Sequence, residues 1–137
     1  MRSRGFTLTE LVLILVLIGI MAAFVAPRLD IQGFERQSYA RELTLALRHA
    51  QRVAIAAACP VEVAVGTSGY TVRWGGGDCG SDVLPHPSRG GDFTGSGEAT
   101  AATVRFDEMG RTTTGTSITV ADGPTVNVES GSGYVRS

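Results

Sequence analysis

The longest apolar stretch of the sequence lies near its start. Every residue from Leu11 to Ala26 is apolar or glycine, and the stretch reaches back to Phe6 with Glu10 as its single charge. As a helix rising about 1.5 Å per residue, it would be about 31 Å long, whereas a bilayer core is about 30 Å thick. The pattern therefore predicts one membrane-spanning helix over residues 6–27.

Two arginines precede this helix and determine its predicted orientation. Arg2 and Arg4 stand before the apolar stretch, and basic residues favour the cytoplasmic side of a membrane. We therefore expect a cytoplasmic N-terminus, with the chain after Pro27 on the other side. The alternative is a secretory signal peptide, which is cleaved after a small-x-small triplet. Residues 22–26 include small side chains, but Pro27 follows directly, and that is a poor context for cleavage.

A second helical pattern covers residues 28–59. Pro27 cannot donate a backbone hydrogen bond and should bend or interrupt the helix, and Gly33 is a second weak point. Beyond it, apolar residues recur every three or four positions, which predicts an amphipathic helix. Its apolar face comprises Tyr39, Leu43, Leu47, Ala50, Ala54 and Ala57, and the opposite face carries Arg41, Arg48 and Arg52. Pro60 ends the pattern.

Residues 60–137 alternate apolar and polar positions in short runs separated by turn residues. The runs 61–65 and 70–74 flank a glycine-containing turn and predict a β-hairpin. Further strands are expected at 103–106, 116–120, 125–129 and 134–136. We expect an α+β fold, in which the outer half of a long N-terminal helix packs on one antiparallel sheet of about five or six strands. The glycine-rich segment 75–102 is a long loop, and loops of that length are commonly functional or disordered.

Composition and charge exclude several functional classes. At 137 residues the chain has room for one small domain and an appendage. Its 12 basic residues, all arginine, and 13 acidic residues give a net charge of -1, which argues against a polyanion-binding protein. The only histidines are His49 and His86, and neither lies in a nucleophile motif. We therefore expect no enzymatic activity, and the sequence implies no cofactor.

Cys59 and Cys79 are the only cysteines. The predicted orientation places both outside the cytoplasm, where disulfides persist. A bond between them would close a loop of about 20 residues and stabilise the fold by roughly 3 kcal/mol. A zinc site is the alternative, but it needs about four ligands, and only His49 and His86 are available to join the cysteines. We therefore expect a disulfide and no metal.

Residues 4–10 read Arg-Gly-Phe-Thr-Leu-Thr-Glu, and they resemble the processing site of type IV pilins and pseudopilins. The resemblance combines a short basic leader, the Gly5–Phe6 junction, Glu10 and the apolar run that follows. It implies that a prepilin peptidase cuts between Gly5 and Phe6, removes the leader 1–5 and N-methylates Phe6.

Glu10 would be costly inside a membrane without a partner. A carboxylate placed deep in a bilayer costs on the order of 2.5 to 3.5 kcal/mol. Cleavage after Gly5 would free a cationic amine on Phe6, and in a filament the amine of one subunit could meet Glu10 of its neighbour. We therefore predict an assembly role for Glu10. In the alternative interpretation, Glu10 lies at the membrane interface and reaches the cytoplasmic headgroups.

The remainder of the chain resembles the GspH and FimT group of minor pseudopilins. The resemblance rests on residues 41–51, the hairpin after them, the strand and turn at 104–111 and the closing segment 126–135. Within that group, residues 26–29, the two cysteines and the ending 134–136 are most similar to MshC-like minor pilins of mannose-sensitive haemagglutinin (MSHA) pili. The implied fold is the type IV pilin-like fold.

This resemblance implies a structural subunit, anchored in the bacterial inner membrane with its globular part in the periplasm. Its implied partners are other pilin or pseudopilin subunits, the prepilin peptidase and an inner-membrane assembly platform. A secretion pseudopilus, an MSHA-type pilus and a competence pilus remain open alternatives.

Some FimT-like pilins bind DNA, and Arg105, Arg111 and Arg136 could form such a patch here. Loss of the leader leaves more acidic residues than arginines, however, so we do not expect nucleic-acid binding.

Overall fold

Two α-helices make up the first part of the chain. In the computed structural model, which describes residues 6–25 and 31–137, α1 spans Leu8–Val25 and α2 spans Ile31–Ala57. The chain divides into two units between Gln32 and Gly33, and each is described by itself. Pro27, the predicted point of bending, lies outside the described residues.

Thr7 precedes helix α1 and caps its first turn, and the helix is predominantly apolar. The N–H groups of Glu10 and Leu11 donate to the Thr7 carbonyl at 3.1 and 3.2 Å, and the Glu10 N–H lies 3.3 Å from Thr7 Oγ1. Such a threonine satisfies donors that the first turn of a helix leaves unpaired. Large apolar side chains along α1 are exposed, from 42% for Ile14 to 80% for Leu8. None of the helices in the described part of the chain combines the length and hydropathy that a membrane crossing requires.

Helix α2 is amphipathic, as predicted, and Gly33 lies within it without interrupting it. The prediction is wrong for Ala57, which is exposed because the helix ends there. Ala58 has φ 49°, and the Cys59 N–H donates to the Ala54 carbonyl at 3.2 Å, which closes the last turn. The buried face comprises Tyr39, Ala40, Leu43, Thr44, Ala46, Leu47, Ala50 and Ala54.

The strands of residues 61–137 form two antiparallel sheets. The strands are β1 (Val61–Gly66), β2 (Gly69–Trp74), β3 (Thr94–Ser96), β4 (Ala102–Phe106), β5 (Thr116–Thr119), β6 (Thr125–Val128) and β7 (Val135–Arg136). The first sheet has the order β3-β2-β1-β4, and the second sheet has the order β5-β6-β7. Both contribute to one hydrophobic core with α2, so the α+β fold is confirmed.

The expectation of one continuous sheet is therefore wrong for the strands described. A turn follows β4, in which Asp107 Oδ1 accepts the N–H groups of Met109 and Arg111 at 2.9 and 2.8 Å. These bonds turn the chain back at the end of β4. Strand β5 then pairs with β6, in a register from Thr116 opposite Val128 to Thr119 opposite Thr125.

The predicted hairpin is present as β1 and β2. Its register runs from Val61 opposite Trp74 to Gly66 opposite Gly69. Alternate residues of β1 are buried, which is the period of a strand with one covered face. On the other face, Glu62 pairs with Arg73 at 3.1 Å.

The long segment 75–102 is ordered along β2. The Leu84 N–H donates to the Val72 carbonyl at 2.9 Å, and the Val72 N–H donates to the Phe93 carbonyl at 2.9 Å. Leu84 and Phe93 are buried in the core, and β3 lies in the same segment. The segment is therefore part of the core packing and not only a connection.

Two leucines on α2 test this packing. Leu47 is fully buried, whereas Leu45 is 65% exposed. We expect Leu47→Ala to lower the free energy of unfolding by about 2–5 kcal/mol, because it leaves a cavity in the core. The matched variant Leu45→Ala should change it by no more than about 0.5 kcal/mol. Chemical denaturation of the detergent-solubilised protein measures both values, and equal losses would contradict the described packing.

Candidate functional site

The predicted processing site lies immediately before α1. Phe6 is described outside the helix, and its side chain is 74% exposed. Gly5, on the other side of the predicted cleavage point, lies outside the described residues. Because Thr7 provides the first carbonyl that α1 uses, removal of everything before Phe6 would leave the hydrogen bonds of the helix intact.

Glu10 lies in the first turn of α1 and is exposed. Its backbone N–H is bonded to Thr7, but among the described residues its carboxylate has no hydrogen bond or ion pair. A negative side chain interacts favourably with the N-terminus of a helix. The carboxylate is thus left available to a partner outside the described residues.

A disulfide joins Cys59 and Cys79, the pair expected from the sequence. Their Cα atoms are 6.0 Å apart. Cys59 follows the last turn of α2, and Cys79 ends a short 3-10 turn, Gly77–Cys79, at the start of the long segment. The bond therefore ties that segment to the end of the helix.

We expect Cys59→Ser, Cys79→Ser and the double variant to lower the free energy of unfolding by roughly 3 kcal/mol each, because the unfolded chain gains freedom. In exported wild-type protein, thiol alkylation should require prior reduction. Free thiols in the folded, exported protein would contradict this expectation, as would unchanged stability in the variants.

The three arginines proposed as a nucleic-acid patch are only partly brought together. Arg105 and Arg111 line the same shallow hollow of about 350 Å³, which Asp107 and Glu108 also line. Arg111 Nε pairs with Asp107 Oδ2 at 3.0 Å. The pKa of Asp107 is lowered, and the largest cause is the hydrogen bond that its carboxylate accepts from the backbone N–H of Arg111. Arg136 is not among the lining residues and pairs with Glu129 at 3.6 Å.

A second cluster was not predicted from the sequence, and it is formed by the two histidines. The rings of His49 on α2 and His86 in the long segment both pack edge-on against Phe93, with centroid distances of 5.5 and 4.9 Å. The cleft between these rings and the adjoining residues 42–52 of α2 and 86–89 of the long segment is called the histidine pocket. His49 and His86 are far apart in sequence, so only the path of residues 75–102 could have predicted that they lie together. Within the described residues, no group of three or more potential metal ligands occurs.

The comparison with family models identifies both parts of the chain. Residues 1–26 match the prokaryotic N-terminal methylation motif, and residues 39–136 match the model of the type II transport protein GspH. The chain belongs to the GspH family. No curated protein and no solved structure is significantly similar to it.

Membership of the GspH family confirms several predictions. The family consists of structural subunits, so the chain is not an enzyme, and the fold is consistent with a type IV pilin-like fold. The methylation motif covers Gly5, Phe6 and Glu10. Together the two matches imply an inner-membrane-anchored pilin that assembles with other pilins and is processed by a prepilin peptidase.

Proposed function

We propose that this GspH family member is a minor pseudopilin that is processed, anchored in the inner membrane and then assembled into, or onto the end of, a filament. One observation carries the proposal. Helix α1, which lies within the matched methylation motif, exposes apolar side chains along its length and bears a single carboxylate. A helix of this kind requires apolar surroundings, which a bilayer and a filament core both provide.

The proposed functional segments follow from this order of events. The leader 1–5 is removed by the prepilin peptidase, and residues 6–27 form the membrane anchor and later the filament core. Residues 28–59 are the amphipathic outer half of the helix, and residues 60–137 form the antiparallel β globular domain with the long segment 75–102; the apolar face of α2 packs in the core of that domain. The N-terminus lies in the cytoplasm, and the globular part lies in the periplasm, where the disulfide is stable.

Among the possible filaments, we propose the type II secretion pseudopilus, because the model matched by residues 39–136 is that of a type II transport protein. An MSHA-type or a competence pilus is the alternative, and the genes beside this one would distinguish them. DNA binding has less support, because Arg111 and Arg136 are both paired with carboxylates.

Fractionation of a host that carries the complete secretion machinery tests the proposal. We expect the protein in the sheared filament fraction together with other subunits. When the inner-membrane assembly platform is deleted, it should remain in the membrane fraction at unchanged abundance. A protein that never leaves the membrane when filaments form, or that is recovered in the cytoplasm, would contradict the proposal.

A further inference from the structure

The histidine pocket is a concave site of about 430 Å³ between α2 and the long segment. This volume falls within the range of small-ligand sites. Apolar groups form much of its surface, with Phe93 and Ala46 buried and Leu45 exposed at its edge. Charged and imidazole side chains surround this apolar surface, and they determine which ligand the pocket can accept.

The two imidazoles are held in place and present polar atoms. His86 Nδ1 accepts the N–H groups of Ser88 and Arg89 at 3.1 and 3.0 Å, so the ring proton of neutral His86 is on Nε2. His49 is half-buried, and among the described residues neither of its ring nitrogens has a hydrogen-bond partner. The pocket therefore contains a fixed N–H donor and an imidazole with free hydrogen-bonding capacity.

Among the described residues, the charges of the pocket leave two arginines without a counter-ion, Arg48 and Arg52. Arg89 pairs with Glu42 at 3.7 Å, and Arg48 Nη2 donates to the carbonyl of Val135, which does not line the pocket. Arg52 has no ion pair among the described residues, although it lines the pocket. The Arg48 guanidinium already donates to Val135, whereas that of Arg52 makes no hydrogen bond among the described residues and is available to an anionic ligand.

We propose that the histidine pocket binds a carboxylate attached to an apolar group, with the carboxylate on Arg52 and His49 and the apolar group against the exposed side chain of Leu45. A guanidinium matches a carboxylate in geometry as well as in charge. The ligand could be a free small molecule or the C-terminus of another protein chain, since both present the same chemistry. The site goes beyond the proposed filament role and does not depend on it.

Binding should strengthen as the pH falls. The pKa of His49 is lowered. Burial is the largest cause, and the charges of Arg52 and His86 lower it further. The charged or titratable groups that line the pocket around it are Glu42, Arg48 and Arg52 on α2 and His86 and Arg89 on the long segment. A bound carboxylate offsets the cationic charge, so it should raise the pKa of His49 and bind more tightly once His49 is protonated.

Titration of the full-length mature protein in detergent micelles tests the site. The probes are hydrocinnamate, its uncharged alcohol, and a short peptide with a C-terminal phenylalanine. We expect both carboxylates to bind and the alcohol not to bind. Arg52→Gln should weaken binding roughly tenfold to a hundredfold. Arg41→Gln is the matched control, because Arg41 is an exposed arginine of α2 that does not line the pocket, and it should bind like wild type.

NMR of the His49 ring supplies an independent measurement. We expect saturating hydrocinnamate to raise the pKa of His49, and His49→Gln to remove most of the pH dependence of binding. Tighter binding of the peptide would assign the site to another protein chain, and equal binding would assign it to a small molecule. No carboxylate binding, equal binding by Arg52→Gln, or binding of a DNA oligonucleotide in place of the carboxylates would overturn the proposal.

Discussion

Replacing Glu10 with alanine should abolish filament assembly while leaving processing and folding unchanged. In the wild type, we propose that Glu10 neutralises the terminal amine of a neighbouring subunit. Without it, a cationic amine remains unpaired in an apolar environment, which costs on the order of 2.5 to 3.5 kcal/mol. Incorporation should therefore fall by about a hundredfold, since about 1.4 kcal/mol corresponds to a factor of ten. Quantitative immunoblotting of sheared filaments measures this loss.

Two controls distinguish an assembly defect from a folding defect. The Glu10 carboxylate has no partner among the described residues, so the alanine variant should unfold at the wild-type denaturant concentration. Glu35→Ala, an exposed glutamate of α2 that makes no ion pair among the described residues, should assemble normally. Normal incorporation of the Glu10 variant would contradict the proposed charge pair and favour the interfacial interpretation of Glu10.

Replacing Gly5 with leucine should block removal of the leader. The bulky side chain would occupy the position before the scissile bond, where the resemblance to prepilins implies glycine. We expect the full 137-residue precursor to accumulate in the membrane and to be absent from filaments. Because no terminal amine is then freed at Phe6, the partner of Glu10 is missing as well, and the assembly loss should be at least as large as for the Glu10 variant.

Gly19→Ala is the matched control for the Gly5 variant. Gly19 lies within α1, and a Cβ atom added there meets nothing within 4 Å. The Gly19→Ala variant should therefore be processed normally, and intact-mass analysis of membrane extracts measures this. Cleavage of the Gly5→Leu variant at the wild-type rate would contradict the predicted processing site.

The sequence was sufficient to predict the elements that depend on local periodicity. The buried face of α2 follows from apolar residues every three or four positions, and the alternation of residues 61–65 correctly predicts the covered face of β1. The N-terminal motif was equally clear, because the leader, the glycine and the carboxylate lie within ten residues.

Features that depend on long-range pairing were not predictable in the same way. The division into two sheets depends on which strands pair, since β5 pairs with β6 after the turn that follows β4, and no periodicity reveals that choice. The histidine pocket exists because the segment 75–102 packs along β2 in space. This path brings the ring of His86 against Phe93, the same ring that His49 contacts. The glycine-rich composition of the segment suggested a loop, whereas Leu84 and Phe93 anchor it in the core.

The central claim is that this chain is matured as a pilin, and intact-mass spectrometry of the protein extracted from host membranes tests it most directly. We predict a chain that begins at N-methylated Phe6 and retains every residue from there to Ser137, with the disulfide between Cys59 and Cys79 intact. A chain that still begins at Met1 in a host with an active prepilin peptidase, or one cut near Ala26 by a signal peptidase, would contradict it.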